Sequence, residues 1–281
     1  MSRAPRIDAH QHFWSLAKPW CAWPTAATPD IHRDFGPEDL RDLLRAGAID
    51  ATVLVQAAPD FAETLWMLDL AAGQDVIAGV VGWVDFTEPA DAIDNLDEAL
   101  DRGPLVGVRP MLQSIEDPAW ILDPAFEPVF AALIARGVAF DALIRPVHLP
   151  AIATLADRYP DLAIVVDHAA KPEVRARRLD PWRADLAALA RRSNVRCKLS
   201  GLPTEAEPGA GPDVFRPYVE HLLACFGPER LMWGSDWPVV RLGGDYATWL
   251  QACEALLAEL PDSARAAVFG GVARATYGLR L

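Results

Sequence analysis

The sequence has little positive charge and no closely spaced cysteines, and both shortages narrow what the chain can do. Among its 281 residues, Lys and Arg number 26 against 39 Asp and Glu, which gives a net charge of −13. A surface that neutralises phosphates is not expected at this charge, so we predict no nucleic-acid partner. The four cysteines lack the short spacings of a zinc ribbon or a disulfide framework.

Long apolar runs are also missing. No stretch approaches the roughly 20 uninterrupted apolar residues that span a bilayer, and the opening residues MSRAPRIDAHQHFW contain no signal-peptide core. Hydrophobic residues still make up 52% of the chain, so it can bury a large core and is not expected to be disordered. We therefore expect a cytoplasmic protein with no membrane partner, folded as one domain over residues 1–281. A homo-oligomer is compatible with these features.

Short apolar segments alternate with longer segments of helical spacing. Eight short segments are typical of strands buried on both faces of a parallel sheet, at residues 6–10, 51–57, 76–85, 105–112, 138–144, 162–170, 195–201 and 231–238. The segments between them, and a final one at 264–278, have the spacing of helices. Eight strand–helix units of about 35 residues predict an α/β fold, a (β/α)8 TIM barrel. An open doubly wound sheet is the alternative, but the residues after the first strand, HQHFW, contain no glycine-rich phosphate turn.

Polar residues suited to catalysis follow the ends of these strands. In a barrel of this type the active site lies at the carboxyl ends of the strands. There the sequence has, in strand order, His10 and His12, Gln56, Trp83, Arg109, Asp141, His168, Lys198 and Asp236. We therefore predict one site to which most of the strands contribute.

Four of these residues are candidate metal ligands. His10 and His12 are two residues apart, so both imidazoles can point to one face of a strand. Together with His168 and Asp236 they are suited to bind one cation, and a pair of hydrogen-bonded histidines is the alternative. Asp236 is also a candidate general base for water, and Arg109 a candidate donor to an oxyanion. The other interpretations are a helix cap for the aspartate and a structural ion pair for the arginine.

Five further residues are predicted to bind the substrate. Lys198 stands in an apolar strand, where a buried ammonium is costly, so it either binds a substrate oxygen or pairs with a neighbouring acid. Gln56 and His32 are predicted to hold hydroxyl groups. Trp14 and Trp83 lie near the rim and could stack on a sugar ring, although a tryptophan is more often a core residue.

Five motifs together resemble the amidohydrolase superfamily, namely IDAHQHFW, GVRP, VVDHAAKP, CKLSG and LMWGSDWP. In their order and spacing they are similar to its amidohydrolase 2 branch of TIM-barrel hydrolases. Within that branch the chain resembles sugar lactonases of the L-fuconolactonase and L-rhamnonolactonase kind. The resemblance runs from Arg6 to about Tyr277, which is nearly the whole chain.

The resemblance implies a hydrolase that opens the ester of a small sugar-acid lactone. It implies that Asp236 and His168 occupy catalytic positions and that Arg109 binds a carbonyl or carboxylate oxygen. Two alternatives remain for the cofactor, one divalent ion with zinc favoured, or none. Without metal, the two strand-1 histidines would donate hydrogen bonds to the carbonyl. The alternative functions are a zinc-dependent decarboxylase of an aromatic or muconate-type acid, a lactonase for dicarboxylic or muconate lactones, and a ligand-binding barrel without catalysis.

Overall fold

A computed structural model, which describes residues 3–281, shows a barrel of eight parallel strands. Each strand pairs with the next in chain order, and all eight predicted strands are present. The strands are β1 (Ile7–Gln11), β2 (Ala51–Val55), β3 (Ile77–Gly82), β4 (Leu105–Val108), β5 (Ala139–Ala142), β6 (Ile164–Val166), β7 (Val195–Leu199) and β8 (Leu231–Trp233). The predicted TIM barrel is therefore confirmed.

Helices connect the strands and cover the barrel. They are α1 (Pro37–Ala46), α2 (Phe61–Ala72), α3 (Pro89–Arg102), α4 (Glu127–Arg136), α5 (Leu149–Arg158), α6 (Trp182–Leu189), α7 (Pro212–Phe226), α8 (Tyr246–Leu256), α9 (Asp262–Ala266) and α10 (Val272–Thr276). Five of them, α1, α3, α4, α5 and α7, carry proline in the first turn, where its missing N–H breaks no helical hydrogen bond. Within residues 3–281, no helix is both long and apolar enough to cross a membrane.

Apolar side chains pack in two layers. The larger layer lies between strands and helices and includes Leu54, Phe140 and Trp233. The second layer includes Val53 and Val165, together with residues of the chain's last segment. Strands of a parallel barrel are buried on both faces, which is why they are apolar throughout instead of alternating.

The last predicted helix differs from the structure. Residues 264–278 form α9 and α10, separated by a π turn at Ala267–Gly271. At Gly270 the backbone comes so close to the segment before β1 that a Cβ would lie 2.2 Å from the carbonyl oxygen of Pro5. At this contact the backbone of Gly270 departs from helical geometry, although the residue spacing is that of a helix. The chain that follows packs Tyr277 and Leu279 into the second apolar layer.

The barrel closes through the residues that follow β8. The backbone N–H of Asp236 donates to the carbonyl of His10 at 2.8 Å, and that of His12 donates to the carbonyl of Trp237 at 2.7 Å. Gln11 and Trp237 form an isolated parallel bridge at the same place. This closure joins the two ends of the chain and sets Asp236 beside both strand-1 histidines.

Candidate active site

Three imidazoles surround the carboxylate of Asp236. Nε2 of His10 and Nε2 of His12 are 3.1 Å apart. Oδ1 of Asp236 lies 3.8 Å from the first of these atoms, 3.4 Å from the second, and 3.8 Å from Nε2 of His168. All four side chains are at most 5% exposed. The four residues predicted as metal ligands thus lie together, while their chemical roles stay predictions.

His168 takes its position from an unusual backbone. The strand β6 ends at Val166, four residues earlier than predicted, and four consecutive residues from His168 to Lys171 then adopt φ values of 51–59°. Nδ1 of His168 lies 2.9 Å from the Ser200 hydroxyl. Behind the ring is Gly201, where φ is +68° and a Cβ would lie 2.6 Å from the imidazole. Such left-handed backbone is costly for residues with side chains and concentrates at functional sites.

A cluster of buried charges lies beneath the histidines. Nζ of Lys198 is 2.6 Å from Oδ2 of Asp141 and 3.0 Å from Oδ1 of Asp167. Nη1 of Arg109 is 3.2 Å from Oδ2 of Asp167, and its Nη2 donates to the carbonyl oxygen and Oε1 of Gln56. Each charged side chain of this cluster lies against at least one group of opposite charge, which offsets part of the cost of burying it.

Burial and local charge give the two kinds of candidate ligand different ionisation states. Burial lowers the pKa of His168 to about 4 and also lowers the pKa of His10 and of His12. Burial alone would raise the pKa of Asp236, but the electrostatic interaction with His168 and the neighbouring histidines outweighs it and holds that pKa below its ordinary value. At neutral pH the site therefore contains neutral imidazoles and one carboxylate.

This donor set fits one divalent cation. Imidazole nitrogens and a carboxylate oxygen are typical zinc ligands, and those of His10, His12 and Asp236 lie within 4.8 Å of one another. Nδ1 of His12 donates to the carbonyl of Val55 at 2.7 Å, which leaves the Nε2 lone pair directed at the site. An outer hydrogen bond of this kind is what orients metal-binding histidines.

A cavity of about 350 Å³ opens above these residues. One wall is polar and includes His12, Arg109, His168, Lys171 and Asp236. The apolar part of the lining, called the apolar wall below, comprises Ala22, Trp23, Ala57, Ala58, Pro59, Met111, Leu143 and Val239. A concave site with an apolar wall and a few converging polar groups is typical of small-molecule binding.

The five residues predicted to contact substrate do not line this cavity; they are Lys198, Gln56, Trp83, His32 and Trp14. Lys198 and Gln56 have no exposed surface and instead hold His10 and Arg109 from behind. Trp14 is 2% exposed, Trp83 is half-buried and His32 lies on the outer surface. Their roles in substrate binding stay predictions, because a place near a strand end does not determine whether a side chain faces the cavity or the layer behind it.

Other residues, which were not among the predicted site residues, line the cavity or lie directly beneath it. Lys171, Trp23 and Gln113 line the cavity, and Asp167 links the two buried cations beneath it. The sequence contains a signal for two of them, since Asp167 and Lys171 lie in the motif VVDHAAKP with His168. Trp23 and Gln113 stand in irregular loops, and no spacing distinguishes them there.

Known proteins resemble this chain over nearly its full length. The sequence pattern of the amidohydrolase family matches residues 7–279. The L-fucono-1,5-lactonase of Burkholderia ambifaria is 48% identical over 95% of this chain and 93% of that protein. The L-fucono-1,5-lactonase of Burkholderia multivorans is 36% identical over 98% of this chain and 97% of that protein. A crystal structure of an amidohydrolase from Burkholderia multivorans with bound zinc superposes with a TM-score of 0.91 at 35% identity, covering 99% of this chain and all of that one. From its sequence and its fold, the chain belongs to the amidohydrolase family.

Proposed function

We propose that this chain hydrolyses a sugar-acid lactone and that L-fucono-1,5-lactone, or an aldonolactone close to it, is the substrate. The observation that carries the proposal is the carboxyl group of Asp236 among three imidazoles at a small cavity, in a chain 48% identical to an L-fucono-1,5-lactonase. The enzyme is a lactonase, a hydrolase of a cyclic ester. The relatives at this level of identity do not favour the decarboxylase alternative.

Asp236 acts as the general base. As a carboxylate at neutral pH it removes a proton from water while the water oxygen attacks the lactone carbonyl carbon. The carbonyl oxygen gains negative charge, and Arg109 donates to it from the cavity wall. One well-placed donor of this kind contributes about 3–4 kcal/mol to transition-state stabilisation. The protonated Asp236 then gives its proton to the ring oxygen as the C–O bond breaks, which yields the open hydroxy acid.

The cavity walls hold the rest of the substrate. Lys171 is the second cation of the lining, and it donates to ring hydroxyls on the polar side. Burial lowers the pKa of Lys171, whereas Asp236 and Glu205 oppose this shift. The apolar wall accepts C6 of L-fucono-1,5-lactone, which is a methyl group. Trp23 covers one face of the ring.

A divalent ion would be held by His10, His12 and Asp236. When bound, such an ion lowers the pKa of water and polarises a carbonyl. The proposed roles of the side chains are the same with or without the ion. Asp236 moves the proton, and Arg109 binds the carbonyl oxygen. Support for metal binding comes from the donor set and from the zinc-containing relative.

The test measures acid release from a panel of aldonolactones and dicarboxylic lactones, with a pH indicator as the readout. L-fucono-1,5-lactone should be opened fastest. Dicarboxylic lactones should be poor substrates, because Arg109 serves the reacting carbonyl and leaves Lys171 as the main cation of the lining for a second carboxylate. If no aldonolactone is opened faster than in buffer, the proposal is wrong.

The same assay tests the base. Asp236→Asn should lower kcat by about 10²–10⁴-fold with the fold intact, because general base catalysis contributes that range. Asp262→Asn is the matched control, since its side chain is 93% exposed and far from the cavity lining. Activity of Asp236→Asn close to that of the control would remove Asp236 from the mechanism.

A further inference from the structure

One tyrosine reaches the active-site cluster from the amino-terminal side of the barrel. Tyr277 follows α10 and packs in the same apolar layer as Ile7, Ala51 and Ala139, the first residues of their strands. Its hydroxyl donates to Oδ2 of Asp141 at 2.7 Å. A polar contact at this depth links the last segment of the chain to the charges beneath the cavity.

The same carboxylate oxygen of Asp141 also contacts Lys198. Oδ2 of Asp141 accepts from Nζ of Lys198 at 2.6 Å. Its Oδ1 has no hydrogen-bond partner among residues 3–281. The position of this carboxylate therefore depends on Tyr277 from below and Lys198 from above.

Lys198 in turn determines which nitrogen of His10 carries the hydrogen. Its Nζ lies 3.2 Å from Nδ1 of His10, and because an ammonium can only donate, this contact favours the tautomer in which Nδ1 accepts and the hydrogen is on Nε2. Nδ1 of His12 faces the carbonyl of Val55, so Nε2 of His12 is an acceptor. The 3.1 Å contact between the two Nε2 atoms is then an ordinary hydrogen bond from His10 to His12.

The opposite tautomer of His10 fits the surroundings less well. With the hydrogen on Nδ1 it would face Oδ1 of Asp167 at 3.3 Å, but two Nε2 lone pairs would then lie 3.1 Å apart, which requires a shared cation. Nη1 of Arg109 is farther from His10 Nε2, at 3.4 Å, and donates to Oδ2 of Asp167. In the protein without a bound cation, Lys198 therefore selects the tautomer that bonds His12.

We propose that Tyr277 is a positioning residue of this active site. Its hydroxyl fixes Asp141, Asp141 fixes Lys198, and Lys198 holds His10 in the tautomer that donates to His12 at the cavity wall. Tyr277 touches no substrate. The kinetic part of its test rests on the proposed lactonase function, whereas the spectroscopic part does not.

The experiment compares Tyr277→Phe with Tyr218→Phe. Tyr218 is the matched control, because it is also buried and its hydroxyl is 3.5 Å from the carbonyl of Glu173, outside the cavity lining. For Tyr277→Phe we expect kcat on L-fucono-1,5-lactone to fall by about tenfold with KM within about twofold, as misplacement of a catalytic group predicts. Tyr218→Phe should leave both constants unchanged.

Nitrogen-15 spectra of the histidine rings, recorded in zinc-free buffer, give the second readout. In the parent protein His10 should show an unprotonated Nδ1 and a protonated Nε2, and in Tyr277→Phe signals of both tautomers should appear. A purely structural tyrosine would lower the unfolding midpoint without changing these signals.

Two results count against the proposal. Unchanged ring signals together with unchanged kcat in a folded Tyr277→Phe protein would overturn it, and so would a parent His10 protonated on Nδ1. If Tyr277→Phe does not fold, Asp141→Asn is measured in the same way, because it weakens the same link to Lys198 and keeps the tyrosine packing. If the parent protein opens no lactone, the proposed function fails and the ring signals alone decide the role of Tyr277.

Discussion

Replacing Glu63 by glutamine should make the free energy of unfolding less dependent on pH. The Glu63 side chain lies behind the apolar cavity wall and is 2% exposed. Its Oε2 accepts the backbone N–H of Ala57 at 3.0 Å and of Ala58 at 2.7 Å. Burial outweighs these hydrogen bonds and raises the pKa of Glu63 from 4.5 to about 7.

The magnitude and the sign follow from that shift. The folded chain keeps this proton to a higher pH than the unfolded chain, so Glu63 contributes stability that is fully present below pH 4.5 and is lost as pH rises through about 7. Raising the pKa of Glu63 from 4.5 to about 7 corresponds to about 3 kcal/mol of unfolding free energy, at about 1.4 kcal/mol for each pH unit. Glutamine stays neutral and retains an oxygen for the two N–H groups, so it should keep this stability at high pH.

Denaturant unfolding between pH 4.5 and 8 measures the effect. Glu63→Gln should match the parent protein at the acid end and exceed its free energy of unfolding by up to about 3 kcal/mol at the alkaline end. Glu259→Gln is the control, because that carboxylate is exposed at the surface. If the difference between Glu63→Gln and the parent is the same at every pH, the reasoning about burial is refuted.

Three further predictions concern the site. Arg109→Met should lower kcat/KM by about 10²–10³-fold in steady-state assays, because it removes the donor to the developing oxyanion, and a loss under tenfold would contradict that role. Trp23→Ala should raise KM and leave kcat nearly unchanged, since it removes contact area that the substrate uses equally in the ground and transition states; a fall in kcat alone would show a different role. Calorimetric titration of the metal-free protein with zinc should give one binding event per chain that His12→Ala abolishes, and equal binding by the variant would exclude the proposed ligands.

The fold and the central site could be predicted from the sequence because both depend on local patterns. Apolar strand segments alternating with helical spacing are a repeated signal, and all eight strands occur where it predicts them. Residues at the carboxyl ends of the strands must meet on one rim, so the sequence predicts that His10, His12, His168 and Asp236 lie together, as they do.

The remaining residues depend on register and on contacts that local patterns do not contain. The sequence indicates that Lys198 is unusual, because it is a charged residue in an apolar strand. Its side chain lies beneath His10 and does not enter the cavity, and this direction follows from how neighbouring strands are staggered. The contact of Tyr277 depends on the π turn at Ala267–Gly271, which forms because Gly270 meets Pro5. Trp23 lines the cavity, whereas Trp14, from the same long loop, is buried in the core. The sequence does not distinguish the two tryptophans, because tertiary packing determines the path of the loop.

The closure of the barrel has a consequence for biosynthesis. Oδ1 of Asp8 accepts the backbone N–H of Ser235, a partner 227 residues away, beside the bonds that join His10 and His12 to Asp236 and Trp237. His10 and His12 therefore cannot meet the carboxylate of Asp236 until more than two hundred further residues have been synthesised. Contacts of such sequence separation form late in folding, so hydrolytic activity should arise as the final step of assembly and report on its completion.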